Sequence, residues 1–333
     1  MALVSKGFGK VGYCDFNVLF PDSLRSIVGP REDADLLMFL TAYLRSNLAR
    51  YFIFHTSANW GSERDQIHLG ELLRVPFPLP GNESASPDAR RIVKQVARKI
   101  GKLSNKLQDT LSQLKANAKR QSLFDKYEVD ISRQWHRERR RLVDTLQEEI
   151  EPLIYRYFGL TEQEITLVED TIRVFEPSST PTTWRSTQTV TLDPVEDTTV
   201  EPYCTQGLVA YADTLTTTLN TWAQTEGSSH RVRAEGGTDD QTGLAMVTLG
   251  LFSDEAAYQQ KSLFQNLPKI LKAFHAHASR KLGTLLYERD ILLFQGDRIH
   301  IVRPNILLNW TRTAALNDAA RIYGEIALAQ KKS

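Results

Sequence analysis

The chain has 333 residues, 41% of them hydrophobic and 24% charged, with 41 Lys and Arg against 40 Asp and Glu. This composition excludes a fibrous or wholly disordered chain and leads us to expect a globular protein of two or three domains. The longest apolar run, residues 36–44, stops at Arg45, well short of the roughly 18–20 residues a membrane span needs. No basic-then-apolar leader opens the sequence, so a cytoplasmic address with no membrane partner is expected.

In chain order, Gly7, Gly9 and Gly12 interleave with Lys6 and Lys10, which reads as a flexible basic loop, since Val4-Ser5-Lys6 offers no preceding strand for a dinucleotide fingerprint. Residues 33–54 carry Leu36, Leu37, Leu40, Tyr43, Leu44, Leu48, Tyr51 and Phe52 at helical spacing, one helix with a buried face. The turn formers of residues 55–61 break it, and a short segment at 66–73 follows. Pro76, Pro78 and Pro80 then end this first unit at Gly81, because alternate prolines forbid helix and central strand.

Val93, Val96, Ile100, Leu103, Leu107, Thr110 and Leu114 step by three and four, an a/d seam of about three heptads. Beyond a connector at 121–132, Trp135, Leu142, Leu146, Ile150, Leu153 and Tyr157 form a second seam, so a second long helix is expected to fold back on the first, kinked or restarted at Pro152. Gly159 is a helix stop, and Thr161-Glu162-Gln163-Glu164 has the form of a capping box. Residues 176–201 are dense in Ser, Thr and Pro and read as a linker with one strand at 188–192. The remainder reads as a helix at 208–223, strands at 231–234 and 244–251 around a Gly236-Gly237…Gly243 turn, a helical stretch at 257–282 interrupted by Pro268, a hairpin at 285–302, and a closing helix at 312–329.

The expected fold class is therefore α+β, divided into residues 1–81, a helical spacer at 89–175, a linker at 176–203 and a small α+β domain at 204–333. The near-zero net charge hides a division. Residues 90–141 hold sixteen Lys and Arg against five acids, a net +11, whereas residues 160–260 hold four Arg against sixteen acids, a net −12. Such asymmetry marks a piece that faces nucleic acid, although solvated charges on a long exposed helix pair would look the same.

Catalytic signatures are missing. The sequence contains no phosphate-binding Gly-rich Lys-Ser/Thr loop, no Gly-x-Ser-x-Gly elbow and no His-Glu-x-x-His helix. Cys14 and Cys204 are the only cysteines, too few for a multi-cysteine metal site or a disulfide framework. His275 and His277 lie two apart, which on a helix points them away from each other. Arg50 and His55 have a spacing some RNases use, but the apolar residues between them favour a buried helix end. Trp60 with Ser57, Asn59, Arg64 and His68 is more suggestive, because an aromatic ring, amides and cations in a Gly-bounded loop suit base edges and phosphates. No cofactor and no metal are expected.

Residues 22–30 (DSLRSIVGP), 36–54, 55–61 (HTSANWG), 63–65 (ERD), 71–80 (ELLRVPFPLP), 155–170 (YRYFGLTEQEITLVED) and 310–318 (WTRTAALND) together resemble one family. They look like the carboxy-terminal target-recognition region of N6-adenine DNA methyltransferases from bacterial restriction–modification and phage-defence systems, the fused type IIG kind in particular. The resemblance implies a target-recognition-like unit at 1–81, shortened, followed by a long antiparallel helical spacer. The catalytic domain of that family has no counterpart here: no Asn/Asp/Ser-Pro-Pro segment exists to hold a flipped adenine, and Asp193-Pro194-Val195 is not its equivalent.

The resulting expectation is a non-catalytic specificity component that binds duplex DNA and acts with a separate methyltransferase, nuclease or motor subunit. Lys6, Lys10, Ser57, Asn59, Trp60, Arg64, Arg90, Arg91, Lys94, Arg98, Arg137, Arg140 and Arg141 are the expected contacts. The alternatives are an assembly module that pairs with another chain through the Val93–Leu114 seam, as a homo- or hetero-oligomer, and a degenerate methyltransferase remnant.

Overall fold

The structure, a computed structural model, describes residues 1–8, 10–58, 66–121, 131–179, 202–239, 242–251, 258–260, 267–282 and 290–330. It is mixed α and β and divides into two compact units, residues 1–168 and 169–333.

Unit 1 opens with an antiparallel sheet in the order β2-β1-β3, built from β1 (Ala2–Ser5), β2 (Val11–Tyr13) and β3 (Leu24–Ile27). The basic glycine segment is thus the turn of a hairpin and not a loop without strands. The buried Phe8 anchors that turn in a left-handed conformation, φ +52°, that non-glycine residues seldom adopt. A strand leading to another strand also removes the dinucleotide geometry, which needs a helix next.

The single helix expected at 33–54 is two, α1 (Ala34–Leu44) and α2 (Asn47–Thr56). Hydrophobic spacing runs straight through the break, but Ser46 caps the second helix with its hydroxyl, which accepts from the Ala49 N–H at 3.2 Å. A second cap comes from far along the chain: the buried Glu151 carboxylate accepts from the Asn47 N–H at 2.8 Å. Burial pushes the Glu151 carboxyl above its ordinary value despite these hydrogen bonds. The folded state therefore holds a proton that the unfolded chain has released, and stability falls as pH rises from the ordinary carboxylate range through the raised value. Glu151→Gln is expected to abolish that part of the pH dependence, so its melting temperature gains on wild type as pH rises above the ordinary carboxylate range; parallel thermal melts check this.

A four-residue helix α3 (Leu69–Leu72) precedes the proline segment, which does not end the unit. Phe77 packs against Phe39 and Tyr43, with ring centroids 6.1 and 5.8 Å away, and the Pro78 carbonyl accepts from the Tyr157 hydroxyl at 2.6 Å. Through these contacts the segment ties the first 81 residues to α4 (Ala89–Gln121) and α5 (Ile131–Phe158), and Val4, Phe39, Ile53, Ile92, Val96, Ile150 and Tyr157 share one core. The boundary drawn near residue 81 is a change of composition and not of core.

The two long helices are antiparallel neighbours, and an ion pair between Lys99 and Glu149 sets their register. α5 continues through Pro152, whose ring lies on the exposed side. It ends at Gly159, φ +65°, in a Schellman arrangement: the Gly159 N–H donates to the Arg156 carbonyl and the Leu160 N–H to the Tyr155 carbonyl. The capping box of α6 (Glu162–Asp170) is present, with Thr161 Oγ1 accepting from the Glu164 N–H and Glu164 Oε2 from the Thr161 N–H.

Unit 2 begins with the last two residues of α6, followed by a π-helical turn at Thr171–Phe175 and a short α7 (Glu176–Ser179). The strand expected at 188–192 lies outside the described residues. α8 (Pro202–Thr225) and α10 (Arg312–Gln330) cover one face of a five-stranded sheet ordered β6-β4-β5-β8-β7. Its strands are β4 (Arg233–Asp239), β5 (Leu244–Gly250), β6 (Tyr258–Gln260), β7 (Ile291–Gln295) and β8 (Arg298–Pro304). Ala245, Val247 and Leu249 point to the face of α8 and α10. Met246 and Val302 point the other way, to the start of α9 (Leu267–Leu282).

Three expectations fail here. Tyr258–Gln260 is a strand and not the start of a helix, and Pro268 sits in the first turn of α9, where its missing N–H costs nothing. Gly236-Gly237 lies inside β4 and is not the turn. A Cβ at Gly236 would stand 2.3 Å from the Met246 carbonyl oxygen, so the neighbouring strand comes too close for any side chain. Gly236→Ala is expected to destabilise unit 2 by about 1–3 kcal/mol, measurable by denaturant unfolding.

Candidate nucleic-acid interface

One end of the three-stranded sheet gathers the sequence-predicted loop. The Lys6 N–H donates to the Ser23 carbonyl, its ammonium pairs with Asp22 at 2.5 Å, and its carbonyl accepts from the Ile67 N–H at 2.8 Å. The other stem of the loop is held by Glu71. Its Oε1 accepts from the Ala58 N–H at 3.0 Å and its Oε2 from the His68 N–H at 2.7 Å, and these backbone donors, His68 first, hold its carboxyl below the ordinary range. A single carboxylate thus closes the base of the segment between Ala58 and His68. Glu71→Ala is expected to speed amide exchange at Ala58 and His68 by about tenfold or more while leaving the core amides protected. Hydrogen exchange read by mass spectrometry checks it.

Asn59, Trp60 and Arg64 lie outside the described residues. Ser57 is the half-buried residue closing α2, Lys10 is exposed, and Lys6 is engaged with Asp22. Arg50 and His55 are both exposed on α2, so that helix end is not buried on their side. The His55 ring lies against Tyr51 and Phe54.

The cations of the long helices are on the outside. On α4 the apolar seam faces α5, and Leu103 lies in a groove with Leu142, Thr145 and Leu146. Arg90, Lys94, Arg98, Lys102 and Lys106 follow one another at four-residue steps along the rest of the helix, and all five are exposed. Each step is about 6 Å, so the row covers about 24 Å. Arg90, Arg91, Lys94 and Arg98 line one shallow depression, and Arg98, Lys102 and Lys106 continue into the groove between α4 and α5. None of the five forms an ion pair among the described residues.

Other expected contacts divide. Arg137 and Arg140 are exposed and likewise form no ion pair among the described residues, but Arg141 pairs with Glu138 at 3.0 Å and Arg91 with Asp88 at 2.8 Å. Asp88, which also binds Arg156, is held below the ordinary carboxylate range by those two guanidinium groups. Arg45, half-buried at the end of α1, donates to the Val11 carbonyl at 3.2 Å; burial lowers its pKa, the nearby Asp144 opposes that shift and Arg139 adds to it.

Sequence reading singled out only the first three cations of the α4 row and missed Lys102 and Lys106, although the unbroken four-residue period was there to be counted. It also missed Glu71, whose role depends on an encounter across the base of a loop.

Among the described residues no three His, Cys, Asp or Glu side chains come together as a metal site, and no helix is long and apolar enough to cross a membrane. No family model, no curated protein and no solved structure matches the chain.

Proposed function

We propose that the chain is a non-catalytic recognition component that grips duplex DNA through unit 1 and leaves bond-making to a separate methyltransferase, nuclease or motor subunit. The observation that carries this reading is the α4 row. Arg90, Lys94, Arg98, Lys102 and Lys106 make four consecutive like-charged i,i+4 pairs, an arrangement that destabilises a helix. The row also starts at the positive end of the helix dipole, where α4 has no acidic residue in its first turn. A helix arranged for stability alone would interleave carboxylates. A row of phosphates supplies the missing anions from outside and fixes register without reading sequence.

In this reading residues 1–81 are the shortened target-recognition unit, and Asn59, Trp60 and Arg64, which lie outside the described residues, are its groove contacts. Supporting it are the resemblance in residues 22–80 and the absence of catalytic motifs from the sequence. A second reading, an assembly module, draws on the distal seam, where Leu103, Leu107, Thr110 and Leu114 are only half-buried against α5.

Charge reversal of Arg137, Arg139, Arg140 and Arg141 to Glu separates the two readings. Under the DNA reading, anisotropy of a labelled duplex reports lost binding while sedimentation reports an unchanged oligomeric state. Lost assembly with intact DNA binding would favour the second.

A further inference from the structure

Between α4 and α5 runs a groove whose two walls differ in charge. Its floor is apolar, made by Leu103 of α4 with Leu142 and Leu146 of α5. Arg98, Lys102 and Lys106 stand along the α4 wall, and none of the three forms an ion pair among the described residues. The α5 wall offers Thr145 and Glu149, and Glu149 already pairs with Lys99. Farther along α4 the seam stays open: Val93 and Val96 are buried in the shared core, whereas Leu103, Leu107 and Leu114 are half-buried. The exposed part of that apolar strip and the repulsion along its wall both work against unit 1 by itself.

Dimensions and charge together select the occupant. Axes of packed helices lie about 8–10 Å apart, so the groove between them admits the flank of a third rod about 10–12 Å across and not the body of a duplex. A duplex also brings no apolar surface to the leucines, because its outside is phosphate and sugar. A second copy of this chain brings the same basic helices, residues 90–141 at net +11, and is repelled. What fits is an amphipathic helix with an apolar stripe and with carboxylates on one flank only.

We infer that the α4–α5 groove takes an acidic amphipathic helix of a second protein, its apolar stripe on Leu103, Leu142 and Leu146 and its Asp or Glu side chains at i, i+4 and i+8 against Arg98, Lys102 and Lys106. The four-residue period of the cations sets the period of the acids, because both are carried by helices lying side by side. On the proposed reading the same three cations hold phosphates, so helix and duplex exclude each other and the second protein releases DNA from unit 1. That consequence rests on the DNA reading, whereas the docking itself does not.

The test titrates the full chain with a labelled synthetic peptide of about 20 residues, long enough to hold a helix, with leucines on one stripe, glutamates at i, i+4 and i+8 on one flank and alanine or glutamine elsewhere. The glutamate peptide should bind wild type at least about tenfold more tightly than the same peptide with glutamine in place of glutamate. Leu103→Gln should weaken the glutamate peptide by about tenfold through the lost apolar contact. Leu103 is half-buried and glutamine is a good helix former, so the variant keeps its fold and its affinity for a labelled duplex. Unlabelled peptide should displace that duplex from wild type and, at the same concentration, leave most of it on Leu103→Gln. Peptide binding that ignores Leu103→Gln would mark plain polyanion attraction and overturn the inference, as would no peptide binding or a bound peptide that leaves the duplex in place. A wild-type dimer in sedimentation that Leu103→Gln abolishes would give the groove to a second copy, and weakened duplex binding in that variant would give it to DNA; either result overturns the inference too. A chain that binds the peptide but no duplex keeps the docking and loses the DNA reading, and the converse result does the reverse, so the two failures are distinguishable.

Discussion

Replacing Arg90, Lys94, Arg98, Lys102 and Lys106 by glutamine is expected to weaken duplex binding and to raise the melting temperature of unit 1 at the same time. If all five cations meet phosphates, wild type loses about 500-fold in affinity between roughly 50 and 200 mM salt, from a slope of about −0.9 per contact. The glutamine variant should show almost none of that loss and bind weakly throughout. Stability moves the other way, because four repulsive i,i+4 pairs disappear at about 0.2–0.5 kcal/mol each and the start of α4 loses its clash with the helix dipole. A gain of about 1–2 kcal/mol follows, a few degrees in calorimetry. A solvated helix face with no partner predicts unchanged DNA binding; an ordinary stabilising surface predicts a loss of stability. The opposed shifts are the signature of residues kept for binding at the expense of the fold.

Asp318→Ala is expected to have the largest effect on stability in the molecule. Arg303 on β8 and Asp318 on α10 are both buried and joined by two parallel hydrogen bonds of 2.7 Å, and the Tyr211 hydroxyl donates to the same carboxylate at 2.5 Å. Burial pushes the Tyr211 hydroxyl well up, and the adjacent Asp318 charge adds to it. Arg303 also donates to the Asn309 carbonyl at 3.3 Å, pairs with the half-exposed Asp290 at 3.0 Å and lies over the Trp310 ring. Truncating Asp318 leaves a guanidinium buried with one exposed partner and strands a buried phenol, at a cost of about 3–5 kcal/mol. Against a typical total of about 5–15 kcal/mol, unit 2 should melt far below wild type while the transition of unit 1 stays in place. Arg303→Met/Asp318→Leu, which removes both charges, should recover most of the loss.

The elements that follow from local spacing were legible in the sequence. The a/d seam of α4, the complementary seam of α5, the stop at Gly159, the Thr161 capping box, the β7–β8 hairpin around Gly296 and the closing helix all depend on residues within one or two turns of each other. What escaped depends on partners distant in the chain. The break between α1 and α2 is stabilised by Glu151, about a hundred residues away, and hydrophobic period alone carries no trace of it. The strand at Ala2–Ser5 was hidden by its four-residue length and by the glycines after it. Gly236 and Gly237 suggested a turn, whereas the close approach of Met246 is what requires a glycine. The merging of residues 1–81 with the long helices was hidden by composition, because prolines that end helices also carried Phe77 into the shared core. For the candidate site, the cations on α4 were visible by count, but which of them are paired was not: Arg91 and Lys99 have carboxylate partners, and among the described residues their neighbours in the row form no ion pair.

A salt titration is the most direct measurement: equilibrium affinity of the purified wild-type chain for a random-sequence duplex, plotted as log K against log salt between roughly 50 and 200 mM. Five cations meeting phosphates predict a straight line of slope about −4.5. A flat line, or no duplex binding at the lowest salt, would contradict the claim that this row exists to hold DNA.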